Sequence, residues 1–245
     1  MKKFLIGCGI FVLVAIVIVC GCSLYMGAKG VKWMENVQVA VEKTAALEAD
    51  YPFTAPDLGA DVDPERFQDY LAIRQDIIDR TLRIGLVSKI TQAQAGGGKP
   101  DVGMGDIFGL MGELPTLIGD YETILRTEEM SPSEYRYCVQ VVLKSIKDGS
   151  DQGEQDFQPL WTKMAGEVDS IQAAIDQHNS SQPPQQQVHI DLNEVMTRID
   201  SSPASAANIE LVRQHLDTFS KSPEMIWLEI ILTTVISETL PQMMQ

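Results

Sequence analysis

From residue 4 to residue 26 the chain carries no charged side chain, and Lys2, Lys3, Lys29 and Lys32 bracket the gap. As a helix this stretch reaches roughly 34 Å at about 1.5 Å per residue, enough to cross a hydrocarbon core of about 30 Å. A chain that begins this way places its bulk against one face of a membrane. Cleavable secretory signals have a shorter apolar region, about 7–15 residues, closed by an A-x-A-like site. Neither description fits well here, so residues 1–28 are expected to be a retained transmembrane anchor. Lys2, Lys3 and the α-amino group precede the span, whereas Lys29 and Lys32 follow it with Glu35 close behind. The cytoplasmic preference of basic residues then puts the N-terminus in the cytoplasm and the body on the periplasmic or extracellular side.

Val19-Cys20-Gly21-Cys22 resembles the lipobox of bacterial lipoproteins. That resemblance implies an acylated N-terminus at Cys22 in place of an uncleaved helix. Cys20 is an odd residue two positions before the modified cysteine, and apolar character continues through Leu24, Tyr25 and Met26. The retained anchor is therefore the preferred reading, and Cys22 is the candidate lipidation site.

The chain has 34 acidic against 19 basic residues, a net charge of −15, and four of the lysines flank the span. The body is thus more acidic still. Phosphate backbones and anionic headgroups repel such a surface, so nucleic acid is excluded as a partner. Cys8, Cys20 and Cys22 lie in the apolar run, leaving only Cys138 in the body and no internal disulfide. Cys138 shares an i, i+3, i+4 stripe with Tyr135, Val139, Val142 and Ile146. It is expected to be a small core residue.

Helical periodicity dominates the body. Phe67, Tyr70, Leu71, Ile77, Ile78 and Leu82 recur at three and four residues with charges between them. Asp63-Pro64 supplies an N-cap followed by the proline that a first helical turn tolerates. Ser131-Pro132-Ser133-Glu134 reads as a capping box, and Ser202-Pro203 and Ser222-Pro223 repeat the Ser-Pro start. No stretch of the body alternates as a strand does. The expected fold is all-α: an N-terminal transmembrane helix and a multi-helix bundle body. Helices are predicted near 29–49, 64–94, 106–126, 132–147, 154–178, 205–220 and 223–240. The domain reading is an anchor over 1–28, a stalk helix and connector over 29–62, a helical body over 63–179, a polar linker over 180–190 and a C-terminal helical subdomain over 191–245, packed on the body.

Patterns that carry chemistry fail one by one. Gly96-Gly97-Gly98-Lys99 is followed by Pro100 where a phosphate loop needs Ser or Thr, and a predicted helix precedes it. It reads as a connector. Asp148 to Gly153 has the first half of a calcium loop, but the twelfth position is Pro159, not a bidentate glutamate. His178, His189 and His215 lack the short spacing of a zinc site. Asn179-Ser180-Ser181 matches a glycosylation acceptor, which matters only in a eukaryotic secretory route. No catalytic, cofactor-binding or metal-binding residue is assigned, and no cofactor is expected.

One polar residue is singled out. Arg74 projects onto the apolar stripe of its helix, where a buried guanidinium needs a carboxylate or several carbonyls. Glu134 and Glu128 are the candidate partners, with snorkelling of the arginine stem as the alternative. Phe67 to Arg74, followed by Ser131-Pro132-Ser133-Glu134-Tyr135, resembles a pattern in uncharacterised, exported, membrane-anchored helical proteins of bacteria. The resemblance implies an envelope protein, carries over no functional residue, and suggests that Arg74 and Glu134 belong to one buried polar cluster.

The expected function is that of a membrane-anchored, non-catalytic envelope protein presenting a protein-interaction surface. Its partners are the membrane, through the N-terminal helix, and another envelope protein. A small-ligand or sensor domain, or a hydrolase with dispersed carboxylates, is the alternative. A perturbed carboxylate in a cleft would favour the enzyme, and an exposed apolar patch would favour the docking protein.

Overall fold

The computed structural model of the chain describes residues 30–83, 104–180, 192–199, 202–221 and 224–234. The predicted anchor, Cys22, the Gly96-Gly97-Gly98-Lys99 run and linker residues 181–190 lie outside the described residues. Among the described residues the fold is an all-α bundle without strands. No described helix is long and apolar enough to cross a membrane.

In chain order the helices are α1 (Gly30–Asp50), α2 (Pro64–Arg83), α3 (Met104–Thr127), α4 (Pro132–Asp151) and α5 (Gln158–Ser180). They are followed by α6 (Leu192–Ile199), α7 (Ala206–Gln214), α8 (Leu216–Lys221) and α9 (Glu224–Thr234). At the start of α2, Asp63 Oδ1 accepts from the Glu65 N–H at 2.9 Å, behind Pro64. At the start of α4, extended Ser131 accepts from the Glu134 N–H at 3.2 Å. The other half of the expected capping box does not form, because the Glu134 carboxylate is taken by Arg66. Ser202-Pro203 does not open a helix. Ser205 is the N-cap of α7, accepting from the Asn208 N–H at 3.1 Å, while Ser202 donates to Asp57 Oδ2 at 3.0 Å. The helix over 192–199 has no counterpart in the sequence prediction.

Helix α4 lies at the centre and packs against α1, α2, α5, α6, α7 and α9. Its apolar residues wrap around most of its circumference: Tyr135, Cys138, Val139, Val141, Val142, Leu143 and Ile146 are all buried. Cys138 is the core residue its stripe predicts, and burial pushes its thiol up to about 12. Helix α1 differs from the expected stalk. Val37, Ala40, Val41, Thr44 and Leu47, spaced at three and four, are buried, and the helix packs along α3 and α4. Glu48 at its end accepts from the Ser133 N–H at 2.8 Å and from the Ser133 hydroxyl at 2.6 Å, placing a carboxylate at the N-terminus of α4 where the helix dipole favours it.

The connector over 51–62 is also held. The Asn208 amide bridges it, donating to Ala60 O at 2.8 Å and accepting from the Val62 N–H at 2.9 Å. A single apolar core runs from Val37 on α1 through α4 to Ile230 on α9, so the C-terminal helices share the interior of the helices before them.

Candidate functional site

Tyr70 and Arg74 stand one turn apart on α2, so both side chains leave the same face, and that face is covered. Arg74 is 1% exposed, which rules out snorkelling. Its partner is Glu229 of α9, also 1% exposed, with Nε 2.8 Å from Oε1. The contact is a charge contact in which the N–H misses the oxygen, and Arg74 Nη2 has no hydrogen-bond partner among the described residues. The Tyr70 hydroxyl donates to Glu229 Oε2 at 3.2 Å. Phe219 of α8 lies under the guanidinium, its ring centre 5.0 Å from Cζ, a spacing suited to a cation–π contact. Tyr135 of α4 sits against Tyr70 with ring centroids 5.3 Å apart, and Tyr121 of α3 meets Tyr135 edge-on at 5.8 Å.

Five helices therefore converge on one buried ion pair. Burial pushes the Glu229 carboxyl up to about 7, against the opposing pull of Arg74 and of the Tyr70 hydrogen bond. For Arg74, burial is the largest single influence and works against the charge, but the Glu229 carboxylate together with Tyr70 and Tyr135 outweighs it and holds the guanidinium above its ordinary value. Burial, reinforced by the Glu229 charge, keeps Tyr70 and Tyr135 protonated well above the usual phenol range. The cluster is buried: each charged group is 1% exposed.

Glu134, the sequence candidate for Arg74, lies in a second cluster. Arg66 grips it with a fork, Nε to Oε1 at 2.8 Å and Nη2 to Oε2 at 2.7 Å. The same guanidinium reaches Asp69 at 2.8 Å and the carbonyls of Glu128 and Glu129 at 3.2 Å each. Glu129 has φ +50, a left-handed residue just past the end of α3. Arg66 thus ties the start of α2, the end of α3 and the start of α4. Glu128 contributes a main-chain oxygen there, to Arg66 and not to Arg74. The structure separates Arg74 from Glu134 because each glutamate meets the arginine that its own helix faces.

The chain matches no family model, no curated protein and no solved structure.

Other charged residues also serve as ties. Lys144, 2% exposed, donates to Ile199 O at 2.7 Å and lies 3.1 Å from Asp148. Asp148 in turn accepts from the Ala204 N–H at 2.6 Å. Asp148, in the last turn of α4, is therefore a joint between α4 and the connection that follows α6. Among the described residues no group of His, Cys, Asp and Glu is placed to hold a metal ion. Open surface grooves lie among the described residues. One, of about 460 Å³, is lined by Asp156, Pro159, Arg213, Leu216 and neighbours, and another, of about 430 Å³, by Asp76, Asp79, Arg80, Arg83 and Asp120. Neither reaches Glu229. Sequence reasoning missed Glu229, although its signal was present: a single acid inside the apolar run Met225-Ile226-Trp227-Leu228-Glu229-Ile230-Ile231-Leu232 must face a cation if the run is buried.

Proposed function

We propose that the chain is a membrane-anchored, non-catalytic helical protein of the bacterial envelope that presents an acidic interaction surface to another envelope protein. The observation that carries this reading is the position of α1. It begins four residues beyond the uncharged run and is knitted into the bundle from Val37 onward, so an anchor over 1–28 would hold the whole body close to the bilayer surface. The one strongly perturbed carboxylate among the described residues, Glu229, has no access to a cleft, which removes the support an enzyme reading would need. Among the described residues Val39, at 49%, is the only large apolar side chain counted as exposed. An apolar docking patch is therefore absent from these residues, and the partner is better met by charge. That predicts a basic partner surface and association that weakens with salt.

The test has two stages. Alkaline phosphatase fused to the C-terminus should be active and green fluorescent protein fused there should stay dark; the reverse pattern would overturn the orientation. Intact mass of the membrane-extracted protein should show a chain retaining its first residues, with Cys22→Ser leaving membrane association unchanged. A diacylglycerol-sized increment on a chain starting at Cys22 would replace the anchor with a lipid. Photo-crosslinking from Val39 in intact cells should then give a discrete, salt-sensitive adduct with one envelope protein. Its absence from there and from other exposed positions of α1 would remove the docking reading of this face.

A further inference from the structure

Helix α9 reaches the rest of the bundle by putting a carboxylate into its interior. Ile226, Trp227 and Ile230 bury apolar surface at that joint, and the Trp227 indole N–H donates to Met164 O of α5 at 3.2 Å. Glu229 shares the joint with one cation and one donating hydroxyl. The ionisable groups that face it are Arg74 and Tyr70 from α2, Tyr121 from α3 and Tyr135 from α4. The Tyr121 and Tyr135 hydroxyls have no hydrogen-bond partner among the described residues, so they do not replace the water that an undocked carboxylate would hold. The Arg74 contact is misaligned, and Glu229 Oε1 receives no well-aligned donor. Docking therefore removes more solvation from a charged Glu229 than its partners return, whereas a neutral carboxyl loses little.

We infer that Glu229 makes the seating of α9 on the bundle proton-dependent, tightening as the medium acidifies and loosening as it turns alkaline. The seated form holds its proton up to about pH 7, and an unseated carboxyl releases it near 4.5. The seated form is thus the better proton binder. Its proton-linked advantage is complete below the lower value and is lost as pH rises through the upper one. Between those limits the ratio of seated to unseated α9 is expected to fall on the order of 100-fold.

Trp227 on α9 is a built-in reporter. In the full chain in detergent, with Trp33 and Trp161 replaced by phenylalanine, iodide quenching of Trp227 and hydrogen exchange of α9 amides would be followed from acid to alkaline pH. Opening of α9 is expected to increase through neutrality. Glu229→Gln should flatten the profile, and Arg74→Met, which removes the cation that favours the charged form, should move the transition to higher pH. A Glu229 serving only as a packing residue would leave the Arg74→Met profile unshifted, and that result overturns the inference. Should either variant fail to fold, carbon-detected NMR of the Glu229 side chain in the otherwise native chain decides the matter. Titration near neutrality supports the inference; titration in the ordinary carboxylate range or below sinks it.

Discussion

Removing one member of the Arg74–Glu229 pair leaves the other ionisable group in an interior with no replacement solvent. Glu229→Ala, which strands a guanidinium that stays charged, is expected to cost about 3–5 kcal/mol in denaturant unfolding, and Arg74→Ala less, because the Glu229 left behind takes up a proton. Replacing both at once, Arg74→Met with Glu229→Leu, keeps the volume and removes both desolvation penalties, so the double variant should recover most of the loss. A double variant as unstable as the singles would show that shape, not charge, governs the site. Gly149 makes a second prediction at this scale. An alanine inside a helix ordinarily gains about 1 kcal/mol over glycine. Here an added Cβ would lie 2.6 Å from the Phe157 ring, closer than real Cβ atoms approach. Overpacking of this kind costs about 1–3 kcal/mol, so Gly149→Ala is expected to destabilise on balance. A thermal melt that rises would contradict the close approach.

Among the helices, the ends matter most. Arg66 satisfies two carbonyls at the end of α3 and the carboxylate at the start of α4, so Arg66→Ala releases three joints at once. With charge-assisted hydrogen bonds each worth about 1.5–3 kcal/mol, partial exposure reduces the expected loss to about 2 kcal/mol. Ser131→Ala, which removes only the cap, should cost about 1 kcal/mol. Urea midpoints of the two variants measure both, and equal losses would mean that Arg66 adds nothing to the cap. Helix starts show how far local chemistry reaches. Asp63 and Ser131 were legible because each is followed by proline and then by an uninterrupted apolar stripe. Ser202 and Ser205 present the same cap residue three positions apart, and the choice between them depends on Asp57, which draws the Ser202 hydroxyl away from the chain that follows. A partner that distant in sequence leaves no local trace.

For the molecule as a whole, far-ultraviolet circular dichroism should be dominated by helix with no strand component, since the described residues are all-α. The helices themselves were written locally, in Asp63-Pro64, Ser131-Pro132 and stripes spaced at three and four. So were the burial of Cys138 and the place of Arg74 on the apolar stripe, because a residue's face on a helix follows from its position alone. That position leaves open whether the Arg74 head is buried or reaches water. Helix α1 carried the same stripe, Val37, Ala40, Val41, Thr44 and Leu47, but a stripe states that a face is covered without naming what covers it. Tertiary structure supplied α3 and α4. The same division explains the ion pairs. Sequence position could say that Arg74 needs an acid, and only the packing of α9 across α2 decided that Glu229 provides it while Glu134 goes to Arg66. Local order is set by backbone hydrogen bonds within a few residues, whereas the choice of a buried partner is set by which faces meet when the bundle closes.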